Sequence, residues 1–342
     1  MASPATTAAY SNFSITDINI LFQDMLETFP PNMVKTLYTQ QPWTNGDPKR
    51  MTFDTFALPS FGERVDENDS APEFEITEGD TLAKEFFKFA GIWSYTLEMK
   101  TFDKEDLTQK FASNLVQALN NNVDHELTMQ ILSYANATTI TPLNYSSTHS
   151  ITTPDGVAVG ATNHTVNSST GTNRSNITSD AAALSLTSLD ALTGGCQAST
   201  VDDASRSIAG LNFDTIVISN YYPMRRKVEE IFGSTLTPET SNNAVNFYRV
   251  GAGGSMKVVE LNMAALNSQG NHDTSTLRRF YWSIMDSRFF GANKWATTGD
   301  AGIVSVPNPN KPNALFSLMA YKFLTYGIVR WQGKGYSFST SV

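Results

Sequence analysis

One cysteine, Cys196, stands among 342 residues. That rules out an intramolecular disulfide framework and any zinc or iron-sulfur site built from several thiolates, and it suits a reducing compartment. Histidine is nearly as scarce. His125, His149, His164 and His272 never fall three or four residues apart, so no helical metal-ligand pair exists and no metal site is expected. Long apolar runs are missing too, since none reaches the roughly 18 residues of a membrane helix. The first twenty residues lack a basic stretch followed by an apolar one, so neither a membrane span nor a secretory signal is expected. Charge is low, at 17% of residues against roughly 25% in ordinary soluble domains. The 24 Lys and Arg are outnumbered by 33 Asp and Glu, and the net charge of -9 argues against nonspecific nucleic-acid binding. Two readings of so weakly charged a chain stand: other copies cover much of its surface, as its 11% aromatics and 11 Met suggest, or the surface is polar, uncharged and β-rich.

What is present begins with Met1 to Ile15, a small, polar, aperiodic stretch of the kind that forms a draped arm. Ile18 to Phe29 has helical spacing behind Asp17 and ends at Pro30 and Pro31. A strand is predicted from Lys49 to Leu58, followed by an acidic, turn-rich stretch, Pro59 to Gly79, holding Glu63, Asp66, Glu67, Asp69, Glu73, Glu75 and Glu78. This reads as the tip of an extended hairpin. The return strand is assigned to Phe87 to Lys100, where Phe87, Phe89, Trp93, Tyr95, Leu97 and Met99 alternate with polar residues. Asp103 then caps a long helix over Lys104 to Tyr134, with Leu107, Phe111, Leu115, Leu119, Val123, Leu127 and Ile131 recurring every four residues. A step of four drifts around the helix, so a helix laid across a sheet fits better than a coiled coil.

Beyond it, 24 of the 45 residues from Asn136 to Asp180 are Ser, Thr or Asn, which marks a polar insertion. Its Asn-x-Ser/Thr triplets at Asn136, Asn144, Asn163, Asn167, Asn173 and Asn176 are expected by chance in such a composition. Ala181 to Leu192 predicts a helix ended by Gly194 and Gly195. FDTIVIS, Phe213 to Ser219, reads as a buried strand and Tyr222 to Phe232 as a helix. Phe247 to Val250 and Met256 to Leu261 are read as a second hairpin turning at Gly251 to Ser255. Leu277 to Ile284, Gly302 to Val306 and Ala314 to Trp331 complete the strand candidates.

Catalytic patterns are lacking. Met256 stands where a dinucleotide loop would need its third glycine, Gly333, Lys334 and Gly335 lack the spacing of a phosphate loop, and there is no Gly-x-Ser-x-Gly elbow. His125, beside Asp124 and Glu126, is expected on a solvated helix face, as are Asp202 with Asp203 and Glu229 with Glu230, while Cys196 is expected to be buried and inert. No catalytic, cofactor or metal residue is assigned, and no enzyme activity is expected. A basic cluster, Arg225, Arg226 and Lys227 with Arg278 and Arg279, has three readings: nucleic-acid contact, intersubunit ion pairs, or a solvated face. Intersubunit pairing is favoured, because Glu63, Asp66 and Glu67 in the hairpin tip supply acidic partners for guanidinium groups.

The order of elements resembles the major capsid protein of tailed bacteriophages, the Hong Kong 97 type fold. The carriers are a polar arm, a two-stranded excursion with an acidic tip, a strand feeding a long helix, a mixed segment with FDTIVIS, and a β return. The resemblance implies an α+β chain with an N-terminal arm at 1–41, an E-loop at 42–84, a P-domain at 85–135 and 301–342 with its spine helix at 104–134, the polar insertion at 136–180, and an A-domain at 181–300. It further implies self-assembly as hexamers and pentamers into an icosahedral shell around packaged double-stranded DNA, without sequence-specific binding, in a virion put together in the host cytoplasm. A separate scaffolding protein, a portal and a decoration protein would be the other partners, with no cofactor and no membrane. Two alternatives stay open: a cellular nanocompartment shell of the same fold, and a β-rich extracellular binding or adhesin protein suggested by the Ser/Thr/Asn tract.

Overall fold

The computed structural model describes residues 33–43, 49–56, 65, 78–96, 107–132, 137–165, 173–177, 182–202, 207–208, 210–234, 248, 256–273, 276–297, 302–306, 314–337 and 339, and these form a mixed α+β protein. A 3-10 turn, Met33–Leu37, leads into β1 (Thr39–Gln40). Next come β2 (Arg50–Phe56), β3 (Glu78–Glu85) and β4 (Phe87–Thr96), then helix α1 (Leu107–Leu132). The 26 residues of α1 span about 39 Å at 1.5 Å per residue. The polar insertion holds β5 (Thr139–Ile140) and β6 (His149–Ser150). After it come α2 (Leu186–Ser199), β7 (Thr215–Ser219), α3 (Tyr222–Gly233), β8 (Lys257–Leu261), the single turn α4 (Thr276–Arg279) and β9 (Trp282–Met285). A second 3-10 turn, Ser287–Ala292, precedes β10 (Asn293–Thr297), β11 (Gly302–Ser305), β12 (Ala314–Ile328) and β13 (Lys334–Ser337).

Two sheets organise these elements. In the five-stranded sheet, β12 pairs antiparallel with β4 along one side and with β10 and β11 along the other, and β1 joins β10 in parallel. Strand alternation then sorts β12 by face. Leu318, Ala320, Leu324, Tyr326 and Ile328 are buried in one core with Leu119, Val123 and Leu127 of α1. The other parity, Met319, Tyr321, Phe323, Thr325 and Gly327, turns to the opposite face. The four-stranded sheet runs β13-β9-β7-β8, with β7 and β8 parallel across the α3 connection. Every residue of β7, β9 and β13 is buried. That is the burial pattern of a sheet covered on both faces, and it explains the unalternated apolar run Ile216, Val217 and Ile218 at the centre of TIVIS.

Several sequence expectations change. The partner of β2 is β3, with Phe53 opposite Leu82, whereas the alternating strand assigned as the return of the hairpin is β4, paired with β12. Alternation marks a half-buried strand and not its neighbour, so the pattern placed the strand correctly and paired it wrongly. Lys257–Leu261 forms strand β8 and pairs in parallel with β7, while the other arm of its expected hairpin, Phe247 to Val250, lies outside the described residues except for Tyr248. The Leu277 to Ile284 strand is split into α4 and β9. Helix α2 passes through Gly194 and Gly195 to Ser199. Two glycines cost a helix roughly 1 kcal/mol each against Ala. Offsetting this, Ser185 and Ser188 form a reciprocal capping box, and Cys196 is buried in the cluster that holds Leu189 and Leu192. Cys196 is buried as expected, and desolvation pushes its thiol up to about 12.

The sheet memberships also cross the expected boundaries: β10, inside 181–300, belongs to the five-stranded sheet, and β13, inside 301–342, to the four-stranded one. The arm up to residue 32 and the Ile18 to Phe29 helix lie outside the described residues, as do most of the hairpin tip and the Gly251 to Ser255 turn.

Candidate assembly site

The β2–β3 hairpin is a two-stranded sheet of its own, and such a pair is marginally stable in water unless it packs on something. Met51, Phe53 and Leu82 form its apolar side and pack on Ala296 and Val329 at one end of the outer face of the five-stranded sheet. Gly327 makes that approach possible: a Cβ there would sit 2.7 Å from Leu82 Cδ2. Three cations tie the hairpin down through main-chain carbonyls. Lys84 Nζ donates to Ser150 O at 2.8 Å, Lys294 Nζ to Asp54 O, and the Arg330 guanidinium to Phe56 O and to Thr55 Oγ1. Burial brings the Lys84 ammonium down to about 8 and also lowers that of Lys294. Arg50 and Glu85 pair at 3.0 Å across the strands, but both are exposed, so that bridge adds little. At the outer end of β2, Phe56 is 74% exposed.

The rest of the outer face is less well covered. Ile92 is 52% exposed beside the half-buried Val304, Met319, Tyr321 and Phe323. Lys88 lies over the rings of Tyr321 and Phe323, 5.3 and 6.0 Å from their centroids. Apolar side chains facing outward in a row are typical of a surface that another chain covers.

Beneath the sheet, α1 carries a buried polar cluster where a solvated face was expected. Val123 to Leu132 are all buried, because residues 33–40, the polar insertion and the segment after β8 wrap this half of the helix. Glu126 accepts from Leu143 N at 2.6 Å and from the Tyr326 hydroxyl at 2.8 Å. His125 Nε2 is 2.9 Å from Asn267 O, and Asp124 pairs with Lys35 at 3.3 Å. Burial first, and then Glu126, pushes the Tyr326 hydroxyl well above its ordinary range. Asp202 is likewise buried and not solvated, Asp203 lies outside the described residues, and Glu229 and Glu230 are exposed as expected.

The insertion folds against the body. His164 is buried and stacks on Trp331 with ring centroids 4.7 Å apart, and its Nδ1 lies 2.8 Å from Asp155 Oδ2. Burial pushes the Asp155 carboxyl up, but hydrogen bonds with His164 and Thr153 outweigh it and hold the group below the usual range. Asn176 is fully buried, bonds both ways with the loop at Ala161 and Val159, and accepts from Tyr336 N, which excludes that triplet as a glycan acceptor.

The basic cluster does not form one patch. Arg225 Nε donates to Glu260 Oε2 at 2.7 Å, and this hydrogen bond and charge raise its pKa. Lys227 pairs with Glu230 at 3.5 Å, and Arg226 is exposed. Arg278 turns away toward Asp273, Leu266 O and Met129 of α1, while Arg279 lies 5.6 Å from the ring centroid of Tyr221. Glu63, Asp66 and Glu67 lie outside the described residues. Sequence reasoning missed the three cations that hold the hairpin. Lys84 carried a signal, because it shares strand parity with the inward Leu82. Lys294 and Arg330 carried none.

No protein-family model and no curated protein matches the sequence. Among solved structures, the chain is similar to one from Gordonia phage Cozz, 12% identical with a TM-score of 0.49, covering 91% of this chain and 86% of that one. It is similar to the capsid structure of the cyanophage P-SCSP1u, 13% identical with a TM-score of 0.48, covering 90% and 87%. A third is a virus-like particle from Pyrococcus furiosus, 9% identical with a TM-score of 0.46, covering 94% and 98%. Among the described residues no helix is long and apolar enough to cross a membrane, and no three His, Cys, Asp or Glu side chains gather as a metal site.

Proposed function

We propose that the chain is a major capsid protein of the Hong Kong 97 type, which closes as hexamers and pentamers into the icosahedral shell that encloses packaged phage DNA. The observation that carries this reading is the unfinished outer face of the five-stranded sheet. One end is covered by the chain's own hairpin, whose Phe56 is exposed, and at the other end Ile92, Met319, Tyr321 and Phe323 have no layer above them among the described residues. A face that none of the described helices and loops seals suits completion by another copy. In this reading β2 and β3 are the root of the E-loop, α1 is the spine helix of the P-domain, and the β7–α3–β8 unit with β9 and α2 belongs to the A-domain. Glu63, Asp66, Glu67 and Arg226 are then candidate intersubunit contacts, and Arg225, Lys227, Arg278 and Arg279 become so only by exchanging their present neighbours. No enzymatic step is assigned. A scaffolding protein, a portal and a decoration protein remain proposed partners, in a virion assembled in the host cytoplasm.

The test is expression of the full chain with and without a scaffolding partner, followed by size-exclusion chromatography and negative-stain electron microscopy. Pentamers, hexamers or closed shells are expected. A monomer under every condition overturns the proposal. Shells filled with a protein cargo and no nucleic acid would move the chain to the nanocompartment class.

A further inference from the structure

His164 is fully buried in the polar insertion, and each of its ring nitrogens meets an acceptor. Nδ1 lies 2.8 Å from Asp155 Oδ2, and Nε2 lies 3.1 Å from Val159 O. A carbonyl oxygen has no proton to give, so Nε2 must donate. The other contacts of Asp155 extend the argument to Nδ1. Thr153 Oγ1 donates to Oδ1 at 2.5 Å, and the amides of Val157 and Thr165 each approach a carboxylate oxygen at 3.4 Å. All of these neighbours are donors, which is the environment of an ionised carboxylate. Burial pushes the carboxyl up, and the bonds from His164, Thr153 and Val157 outweigh it. With no proton on Asp155, Nδ1 must donate as well. A neutral tautomer would leave one ring lone pair facing an oxygen, and turning the ring over would set carbon atoms against both acceptors.

The ring joins two parts of the chain. His164 and Arg174 exchange both main-chain hydrogen bonds, each 2.9 Å long, and thereby close a loop of the insertion. The imidazole lies on Trp331, in the segment between β12 and β13, with the planes only 10° apart. An aromatic face attracts a cation stacked on it, and an indole does so best. Other charged groups nearby are engaged elsewhere or held apart. The half-buried Arg174 meets His164 through the main chain, the Arg330 guanidinium reaches Thr55 and Phe56, and Lys334 Nζ donates to Arg330 O. Among the described residues, Asp155 is therefore the carboxylate that compensates the ring.

We infer that His164 is held as a doubly protonated imidazolium, and that this cation pins the polar insertion onto Trp331 until loss of a ring proton releases it. Val159 O also accepts from Asn176 Nδ2 at 2.8 Å, so the carbonyl stays satisfied when Nε2 loses its proton and the repulsion falls on the ring. A cation that the fold binds contributes its stability while protonated, and that contribution is lost as pH rises through its titration in the folded chain. The pin does not rest on the shell reading, because every group in it belongs to one chain.

Ring-nitrogen NMR on the isotope-labelled full-length chain tests this, in solution for the unassembled chain and by magic-angle spinning for shells. His164→Gln identifies the signal, and if that variant fails to fold, His125→Gln, His149→Gln and His272→Gln identify it by elimination. At pH 7 both ring nitrogens of His164 are expected to carry protons. Raising the pH toward 10 should remove one of them. Exchange at the His164 and Arg174 amides, corrected for its intrinsic rate, should then quicken about tenfold or more while Ile216, Val217 and Ile218 stay protected. Asp155→Asn should move both changes to lower pH together, which a merely structural contact would not do. A single protonated nitrogen at pH 7 overturns the inference. Amide protection that persists after the second proton has left does the same, as does a proton whose loss Asp155→Asn fails to shift.

Discussion

The two sheets close themselves to different degrees. The four-stranded sheet is sealed within one chain: β7, β9 and β13 are buried on both faces, between a core shared with α2 and α3 and the core shared with α1. The five-stranded sheet is sealed on one face by α1 and half covered on the other by a hairpin held with three cation-to-carbonyl ties. In the proposed shell reading, the difference separates the sheet that carries stability from the face that carries association. Substitutions in the first sheet should act on folding, whereas substitutions on the outer face of the second should act on assembly.

The largest expected effect is at Trp282, fully buried in β9 with its Nε1 donating to Ala182 O. Trp282→Ala should cost about 3–5 kcal/mol in denaturant unfolding, and a loss near 1 kcal/mol would break the claim that this sheet is sealed. Next is Glu126. Glu126→Ala leaves Leu143 N and the Tyr326 hydroxyl without their buried acceptor and should cost about 2–4 kcal/mol, with Tyr326→Phe a milder loss of about 1 kcal/mol.

Lys334 supplies a test with the opposite sign. It is fully buried in β13 and donates to Arg330 O at 2.6 Å, and burial, then Arg330, brings its ammonium down to about 7. A lysine whose folded pKa lies below its unfolded value penalises the fold while protonated. The penalty is complete below about pH 7 and fades as pH rises toward 10.5. Lys334→Met should therefore stabilise the chain, by about 1–4 kcal/mol at pH 6 and by much less at pH 10. Equal gains at the two pH values would contradict the burial of a charge there. The smallest effect on folding is expected at Ile92, where Ile92→Ser should change unfolding by no more than about 0.5 kcal/mol yet reduce association measured by light scattering. Unchanged association would remove the distinction between the two sheets.

The legible parts of the sequence were those where one physical pattern dominates. A strand buried on both faces, TIVIS, has an apolar centre without alternation, and a helix packed along one side, Leu107–Leu132, repeats its apolar residues every four. What stayed hidden depends on contacts between distant segments. Asp124, His125 and Glu126 look solvated in isolation, and only the packing of residues 33–40 and the insertion around α1 reverses that. The pairing of β4 with β12 joins residues more than two hundred positions apart, and alternation contains no information about the partner. At the candidate site, the acidic tip drew attention because charge is visible in a sequence. The ties from Lys84, Lys294 and Arg330 go to main-chain carbonyls, which every residue carries and no pattern marks.

Strand β12 has a mechanical consequence. Its fifteen residues extend about 50 Å at roughly 3.4 Å per residue, and they pair with β4 on one flank and with β10 and β11 in succession on the other. A pull along this strand loads those ladders in shear, all at once, whereas a pull across it would peel them one bond at a time. Load entering at the hairpin root passes through Arg330, two residues beyond the end of β12, into that direction. A chain wired this way resists being stretched in the plane of its sheet far better than it resists being bent out of it.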